Sequence, residues 1–281
     1  MKGKVGPRGL AFLLFCAVLS GCAGRLETAE GLARQRQWVS AIVATPRFDL
    51  FTYAPRTFVP SQPLVVYVEG DGYAFISETQ VSDDPTPRDP VGLELAVADP
   101  RPNVVYLARP CQYVSGPHRR NCAPAYWTLA RFSEQVVSAV DAAVGHYVRA
   151  SGARRVDYVG YSGGGAVAAL VAARRPDSAS LVTVGGVLDH ATWTSLDGMT
   201  PLYYSLNPAD YADRLAGLPQ VLFVGGDDTV VPEVVARAYA ARFPAGRRPT
   251  IIVVPGYDHD CCWRDHWPEL LRRTPFLAES P

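Results

Sequence analysis

The chain has 281 residues, of which 48% are hydrophobic and 19% are charged. This composition is typical of a globular protein with a substantial core and excludes an intrinsically disordered chain. Lysine and arginine together number 27, as do aspartate and glutamate, so the formal net charge is zero. The arginine pairs are dispersed along the chain without interleaved aromatic residues, so we expect no nucleic-acid partner.

The N-terminus carries the pattern of an export signal. Lys2, Lys4 and Arg8 precede the apolar stretch LAFLLFCAVL. A charged region followed by an apolar stretch of about ten residues is typical of a secretory signal, and it is too short to span a bilayer. We therefore expect an exported protein.

The apolar stretch runs into Leu-Ser-Gly-Cys at residues 19–22. This resembles the lipobox of bacterial lipoproteins, and the resemblance implies a signal peptide over 1–21 and a lipid on the thiol of Cys22. Ala23, rather than Asp, follows the cysteine, which resembles lipoproteins released to the outer membrane, on its periplasmic side. An ordinary signal peptide with a nearby cysteine is the alternative interpretation.

Residues 22–45 are polar to amphipathic and indicate a lipidated lead-in outside the domain. After them, apolar runs rich in Val, Tyr and Phe alternate with longer segments of helical periodicity. Strands that are hydrophobic on both faces and alternate with helices predict a parallel sheet covered on both sides. We therefore expect one α/β domain over 46–281, with a mostly parallel central sheet flanked by helices on both faces. Strands are predicted at 48–54, 63–70, 103–109, 155–161, 180–188, 220–226 and 250–256, and helices at 91–98, 131–152, 164–175, 231–243 and 266–273.

The segment 186–218 is long for a connection between two strands. It contains Trp193, Tyr203 and Tyr204, and we expect a small cap or pocket wall there. Together with Trp127, these aromatic side chains are candidates to line an apolar acyl pocket.

Four cysteines lie outside the signal and the lipidation site, and in an oxidising compartment an even set suggests disulfides. A bridge between Cys111 and Cys122 closes a short loop and is the preferred pairing. A bridge between Cys261 and Cys262 would join Cα atoms about 3.8 Å apart, below the usual span, so cross-pairing of the two groups is also open. Zinc binding is disfavoured because neither group has C-x₂-C spacing.

The run RVDYVGYSGGGAV at 155–167 places Ser162 between Gly160 and Gly164 in a G-x-S-x-G pattern. With 24 glycines in the chain, the pattern alone is weak. Its context is stronger: a predicted strand ends at about Val159 and a predicted helix begins directly after the serine, as an exposed nucleophile on a sharp turn requires. The run lacks the motifs of dinucleotide-binding and phosphate-binding loops.

This strand–turn–helix pattern resembles the nucleophile elbow of the α/β-hydrolase fold, and the resemblance covers roughly 46–275. A serine hydroxyl needs a base that an acid holds in place, and in this fold they follow in the order serine, acid, histidine at strand ends. Asp228 follows one predicted strand and precedes TVVP, which is similar to the family's acid-x-x-V-P pattern. His259 follows the last predicted strand. The resemblance thus implies a triad of Ser162, Asp228 and His259.

Other residues compete for two of these roles. Asp227 is the acid if the register is one residue off, and Asp189 is a second alternative because some relatives place the acid after the preceding strand. Two histidines, neither directly after a strand that ends in a glycine-bearing turn, are alternatives for the base: His190 and His266. Two more are interpreted as surface or satisfied residues: His118 and His146.

The resemblance also implies an oxyanion hole. One donor would be the backbone N–H of Gly163, and the other the N–H of Asp71 in the loop Glu69-Gly70-Asp71-Gly72-Tyr73. Relatives commonly carry histidine where this chain has Glu69, and a carboxylate there is unfavourable unless it points away or is paired. Four residues are expected to contact the substrate: Gly70, Gly72, Tyr73 and Trp193.

These features together predict a serine hydrolase that cleaves carboxylic esters of small molecules through an acyl-enzyme on Ser162. No metal or organic cofactor is implied. An acyltransferase or thioesterase would use the same triad, as would a peptidase, which usually carries an additional domain. A non-catalytic envelope binding protein on the same fold is the alternative outside enzymes.

Overall fold

The computed structural model of the protein describes residues 24–196 and 198–274. The predicted signal peptide over 1–21 and the predicted lipidation site at Cys22 lie outside these residues. Eight strands form one sheet. They are β1 (Val39–Ala44), β2 (Asp49–Ala54), β3 (Leu64–Val68), β4 (Val104–Leu107), β5 (Val156–Tyr161), β6 (Ser178–Val184), β7 (Gln220–Gly225) and β8 (Thr250–Val254).

The strand order is β1-β2-β4-β3-β5-β6-β7-β8. The six strands from β3 to β8 pair in parallel, whereas β1 and β2 are antiparallel to their neighbours. Every residue of β3, β4, β5 and β7 is buried, because helices cover both faces of the sheet. The predicted fold class, a mostly parallel sheet within an α/β domain, is confirmed.

Eight helices surround the sheet in the described part of the chain. One hydrophobic cluster joins α1, α2 and α8 to one face, and a second joins α3, α4 and α7 to the other. The helices are α1 (residues 24–34), α2 (Val91–Ala98), α3 (Glu134–Ser151), α4 (Gly163–Ala172), α5 (His190–Leu196), α6 (Ala212–Leu215), α7 (Glu233–Ala241) and α8 (Trp263–Arg272).

Helix α3 shows how the apolar pattern produces this packing. Val136, Val140 and Val144 are fully buried against the sheet, at the spacing of one helical face. Gly152 follows the last turn with φ 66°, a left-handed conformation that glycine adopts at low cost. The helix thus ends at Ser151, one residue before the predicted bound, and begins at Glu134, three residues after it.

The lead-in predicted over 22–45 is wrong for most of its length. Strand β1 pairs with β2 from Val39 opposite Ala54 to Ala44 opposite Asp49, and α1 buries Ala29 in the core. β1 lies at the sheet edge and buries only Val43 fully, so its sequence lacks the strong apolar pattern of the inner strands. The folded domain includes at least the described residues from 24, and its boundary is not at 46.

The connection between β6 and β7 contains α5, a 3₁₀ turn at Pro208–Tyr211, and α6. It forms the small cap that was expected over 186–218. Helix α8 begins at Trp263, three residues earlier than the sequence predicts. No helix in the described ranges combines the length and the apolar character that a bilayer-spanning segment needs.

Both cysteine groups form disulfides within themselves. Cys111 is bonded to Cys122, as preferred, with a Cα–Cα distance of 5.7 Å. Cys261 is bonded to Cys262. Cross-pairing of the two groups, which the short Cα distance between neighbours had favoured, is therefore wrong.

Candidate active site

Ser162 lies on the turn between β5 and α4, at the carboxyl edge of the sheet. Its φ of 52° is in the left-handed region, which a residue with a side chain occupies only under strain. The turn is tight: a Cβ on Gly164 would lie 2.2 Å from the carbonyl oxygen of Val68, and one on Gly160 would lie 2.5 Å from that of Gly164. Both glycines of the motif are therefore required by close backbone contacts.

The three predicted triad residues meet at this edge. His259 Nε2 lies 3.0 Å from Ser162 Oγ, and His259 Nδ1 lies 2.8 Å from Asp228 Oδ2. The other carboxylate oxygen of Asp228 accepts the backbone N–H groups of Val230 and Val231, at 2.9 and 2.8 Å. Since the Asp228 carboxylate is fully buried and bonded on both oxygens, it can hold the imidazole in one orientation.

The rival acids lie elsewhere. Asp227 is exposed, and its backbone N–H donates to the Tyr257 carbonyl. Asp189 is buried, but its carboxylate accepts the amide of Asn207 and the hydroxyl of Thr192, at 3.0 and 3.1 Å. Of the three candidate acids, Asp228 alone contacts His259 among the described residues.

The four other histidines are also away from Ser162. His190 lines a second cavity of about 680 Å³, beneath the cap. His266 Nδ1 lies 2.6 Å from the Tyr257 hydroxyl, and His118 Nδ1 lies 2.9 Å from Asp49 Oδ2. His146 is exposed on α3.

The predicted oxyanion donors flank the serine. The backbone N–H of Gly163 begins α4, and the loop that contains Asp71 follows β3. A Cβ on Gly70 of this loop would lie 3.4 Å from the Cβ of Ser162, so the loop and the turn are in contact. Within residues 24–196 and 198–274, the N–H groups of Gly163 and Asp71 have no hydrogen-bond acceptor. Both donors are free for a ligand.

The Glu69 carboxylate is paired on both oxygens. It is buried, and its Oε1 accepts the N–H groups of Gly70 and Gly92, while its Oε2 accepts the N–H of Leu93 and the hydroxyl of Tyr106. Burial raises the pKa of its carboxyl, and these donors oppose that shift. Its contacts with the first turn of α2 explain how the chain accommodates a carboxylate where relatives have histidine.

Asp71 is paired. Arg109 Nη1 donates to its Oδ1 at 3.1 Å, and Arg131 Nη1 donates to its Oδ2 at 2.6 Å. Both arginines are buried, and the Asp71 carboxylate lies against the Cα of Gly163. Two guanidinium groups share one carboxylate, so the three side chains carry a formal charge of +1 next to the two free N–H donors. A negative charge that develops there is attracted by the cluster.

Gln112 connects this loop to the Cys111–Cys122 disulfide. It is fully buried, its Nε2 donates to the Gly70 carbonyl at 3.0 Å, and its Oε1 accepts the N–H of Arg109 at 2.9 Å. Cys111, its neighbour, has φ 75°, so the disulfide holds a backbone conformation that is otherwise unfavourable. The disulfide thereby supports the loop that contains Asp71.

Tyr161, the residue before the serine, supports the histidine. Its hydroxyl donates to Asp260 Oδ1 at 2.6 Å, and its ring lies 5.2 Å from the His259 ring, centroid to centroid. Burial and the Asp260 carboxylate raise the pKa of Tyr161, so its hydroxyl stays protonated. No sequence motif indicates the roles of Tyr161, Arg109, Arg131 or Gln112, because each depends on a contact with a distant segment.

Ser162 and His259 open into a cavity of about 840 Å³. Trp193 lines the cavity, and its Nε1 donates to the Val230 carbonyl at 2.7 Å. Trp127 is buried elsewhere and donates to the Ser82 carbonyl. All four residues that were predicted to contact substrate line this cavity: Gly70, Gly72, Tyr73 and Trp193.

The other two aromatic residues of the cap do not line this cavity. Tyr203 and Tyr204 are exposed, and Tyr203 lines the second cavity. As candidates for an acyl pocket around Ser162, both were wrong, as was Trp127.

The charge on the Asp71 cluster can be tested with Arg131→Met. We expect the change to lower kcat/KM roughly tenfold, because Asp71 keeps one cation and its carboxylate then opposes an oxyanion. Asp71→Asn in the same chain should recover most of the loss, since Arg109 alone then returns the formal charge of the cluster from zero to +1. The matched control is Arg174→Met, which breaks a surface pair with Glu134. Equal losses in Arg131→Met and in the double variant would contradict the charge account.

The support from the disulfide can be tested with Cys111→Ser/Cys122→Ser. The bridge spans a sequence separation of 11, and the loss of such a loop constraint costs about 3 kcal/mol. We expect the midpoint of thermal unfolding to fall by roughly 6–12 °C, with reduced turnover because Gln112 loses its position. Cys261→Ser/Cys262→Ser is the control: this bridge closes no chain loop, so we expect a much smaller shift. Scanning calorimetry gives the unfolding midpoint of each double variant. Equal midpoints in the two double variants would contradict the stabilising role of the Cys111–Cys122 bridge.

Comparison with known proteins supports the architecture. No profile of a protein family matches the chain, and no curated protein matches it. Among solved structures, Est1E from Butyrivibrio proteoclasticus is similar over 84% of this chain and 98% of its own, with a TM-score of 0.56 and 14% identity. A putative dienelactone hydrolase from Klebsiella pneumoniae is similar over 86% of this chain and 99% of its own, with a TM-score of 0.59 and 19% identity.

An acylaminoacyl peptidase from Pyrococcus horikoshii is similar over 86% of this chain but only 40% of its own, with a TM-score of 0.60 and 14% identity. At these identities the likeness concerns the backbone alone. The sheet order, the turn at Ser162 and these similarities together show that the chain has the α/β-hydrolase fold.

Proposed function

We propose that the protein is a serine hydrolase that cleaves carboxylic esters. The observation that carries this proposal is the continuous chain of hydrogen-bond distances from Ser162 Oγ through His259 to the buried Asp228, at the opening of a cavity of about 840 Å³. Free N–H donors on two sides of the serine complete the requirements of acyl transfer.

In the first half-reaction, Ser162 Oγ attacks the acyl carbon while His259 Nε2 takes the hydroxyl proton. The carbonyl oxygen becomes an oxyanion, and the N–H groups of Gly163 and Asp71 donate to it. The imidazolium is stabilised by Asp228. It returns its proton to the ester oxygen, the bond from the acyl carbon to that oxygen breaks, and the alcohol leaves an acyl group on Ser162.

In the second half-reaction, water attacks the acyl-enzyme and His259 takes a proton from it. The oxyanion forms again at the same donors. His259 then protonates Ser162 Oγ as the acyl–serine bond breaks, and the carboxylic acid leaves. Each half-reaction returns the histidine to its neutral state, so one ester and one water give one acid and one alcohol.

The names of the neighbours support a hydrolase. The similar structures include a putative dienelactone hydrolase, matched over 99% of its chain, and an acylaminoacyl peptidase. The peptidase is matched over only 40% of its chain, so the similarity leaves most of that protein without a counterpart. We therefore favour an ester over a peptide as substrate.

We also propose that the protein is exported and anchored by lipid on Cys22, at the periplasmic side of the outer membrane. The charged and apolar N-terminal pattern and the Leu-Ser-Gly-Cys sequence support this proposal. The oxidised cysteine pairs fit an exported protein, since disulfides persist in oxidising compartments.

A fluorophosphonate probe tests the nucleophile. We expect one adduct on Ser162, found by mass spectrometry, and no adduct in Ser162→Ala or His259→Ala. Turnover of 4-nitrophenyl butyrate should fall by roughly 10³–10⁴-fold in Asp228→Asn, because the imidazole loses its orientation.

The adjacent Asp227→Asn is the matched control, since Asp227 is exposed, and it should keep its turnover. A folded wild-type protein that resists the probe and hydrolyses no ester would favour a binding protein. Formation of a new ester from added alcohol, in place of free acid, would indicate an acyltransferase.

The anchor is tested by metabolic labelling with palmitate in a bacterial host. We expect the wild-type protein to carry label and to sediment with membranes, and Cys22→Ser to lose both, because the acyl chains supply the membrane affinity. Cys16→Ser, in the apolar stretch, is the matched control and should keep the label. Unchanged labelling in Cys22→Ser would contradict the assignment of this cysteine.

A further inference from the structure

The described chain begins at the opening of the Ser162 cavity. Arg25 is the second residue of the described part of α1, and its guanidinium is 4.9 Å from the centroid of the Tyr73 ring, which lines that cavity. Arg25 Nη1 also donates to the Thr86 carbonyl at 3.0 Å and lies 3.7 Å from Asp84 Oδ2. Arg25, in the described part of α1, is thereby fixed at the cavity, at the same edge of the sheet as Ser162.

Cys22 precedes Arg25 by three residues. Three residues span at most about 11 Å even when fully extended, so the two Cα atoms lie within that distance. A lipid on Cys22 would therefore attach the protein to a membrane directly beside the opening of the cavity. Such an anchor and the cavity would then lie on the same side of the domain.

The rim of the opening is apolar. Phe75 and Val230 line the cavity and are 39% and 50% exposed, and Ile76, beside Phe75, is 49% exposed. Large aliphatic and aromatic side chains at such exposure are unfavourable in water and favourable against lipid.

The charged side chains around the opening would not attract it strongly to an anionic membrane. Arg88 stacks on Tyr73 at 3.9 Å, and it forms no ion pair within residues 24–196 and 198–274. Three acidic side chains line the same cavity and offset the positive charge of Arg88: Asp89, Glu94 and Asp260. Attraction to the membrane would therefore come from the tether and the apolar rim, with little dependence on anionic lipid.

We propose that the rim formed by Phe75, Ile76 and Val230 lies against the membrane that holds Cys22, and that the substrates are acyl esters resident in that membrane. This inference rests on the proposed function and on the anchor. A long acyl chain then passes from the lipid layer over the apolar rim to Ser162 without crossing water.

The test uses the full, lipidated chain reconstituted in phosphatidylcholine vesicles. 4-Nitrophenyl palmitate in the vesicles reports on the membrane-resident substrate, and 4-nitrophenyl butyrate in water reports on the hydrolase itself. Ile76→Asp is the main variant, because Ile76 is on the rim but does not line the cavity. We expect its turnover of the palmitate ester to fall about tenfold, with turnover of the butyrate ester unchanged.

Val59→Asp is the matched control. Val59 is 46% exposed, and its N–H donates to Asn103 Oδ1 just before β4, at the opposite edge of the sheet. We expect the ratio of palmitate to butyrate turnover to equal that of the wild type. Ile76→Ser gives a second rim variant if the aspartate disturbs the loop.

Equal palmitate-to-butyrate ratios in the Ile76 and Val59 variants would overturn the membrane-facing rim while leaving the hydrolase in place. Turnover of neither ester by the wild type would contradict the proposed function itself.

Discussion

The tight turn at Ser162 is the constraint on which the rest of the site depends. It places a residue with φ 52° between a buried strand and a buried helix, and it brings Gly164 against the carbonyl of Val68. The contact joins the turn after β5 to the loop after β3, so Ser162 and the N–H of Asp71 are fixed relative to each other by backbone packing. The six parallel strands hold both segments, since their carboxyl ends meet at one edge of the sheet.

Two carboxylates next to an oxyanion site would oppose catalysis, and the fold neutralises them by different means. The Glu69 carboxylate is buried and accepts three backbone N–H groups, two of them from α2. Asp71 stays at the cavity and is bonded by two buried arginines. The excess positive charge then lies where the proposed reaction develops negative charge, so the departure from the histidine of relatives is compensated in this chain.

The order of the triad could be predicted from the sequence because each member follows a strand whose apolar pattern is strong. The arginine pair could not be predicted, since Arg109 and Arg131 meet Asp71 across 38 and 60 residues and no local pattern encodes that contact. Strand β1 was missed because an edge strand with one fully buried residue has a weak pattern. The pairing of Cys261 with Cys262 could not be predicted, since the Cα distance between neighbouring residues lies below the usual span of a disulfide.

The correction at the N-terminus changes what an anchor would do. A flexible lead-in over 22–45 would leave the domain free to rotate above a membrane. Instead, the eleven described residues of α1 form a helical segment of about 16 Å that packs against α2 and α8, with Arg25 beside Tyr73. A tether three residues before Arg25 then acts at a fixed point of the domain. If Cys22 carries a lipid, the packing of α1 against the domain fixes how the domain is oriented on the membrane. The opening of the cavity then faces the membrane that holds the proposed substrates.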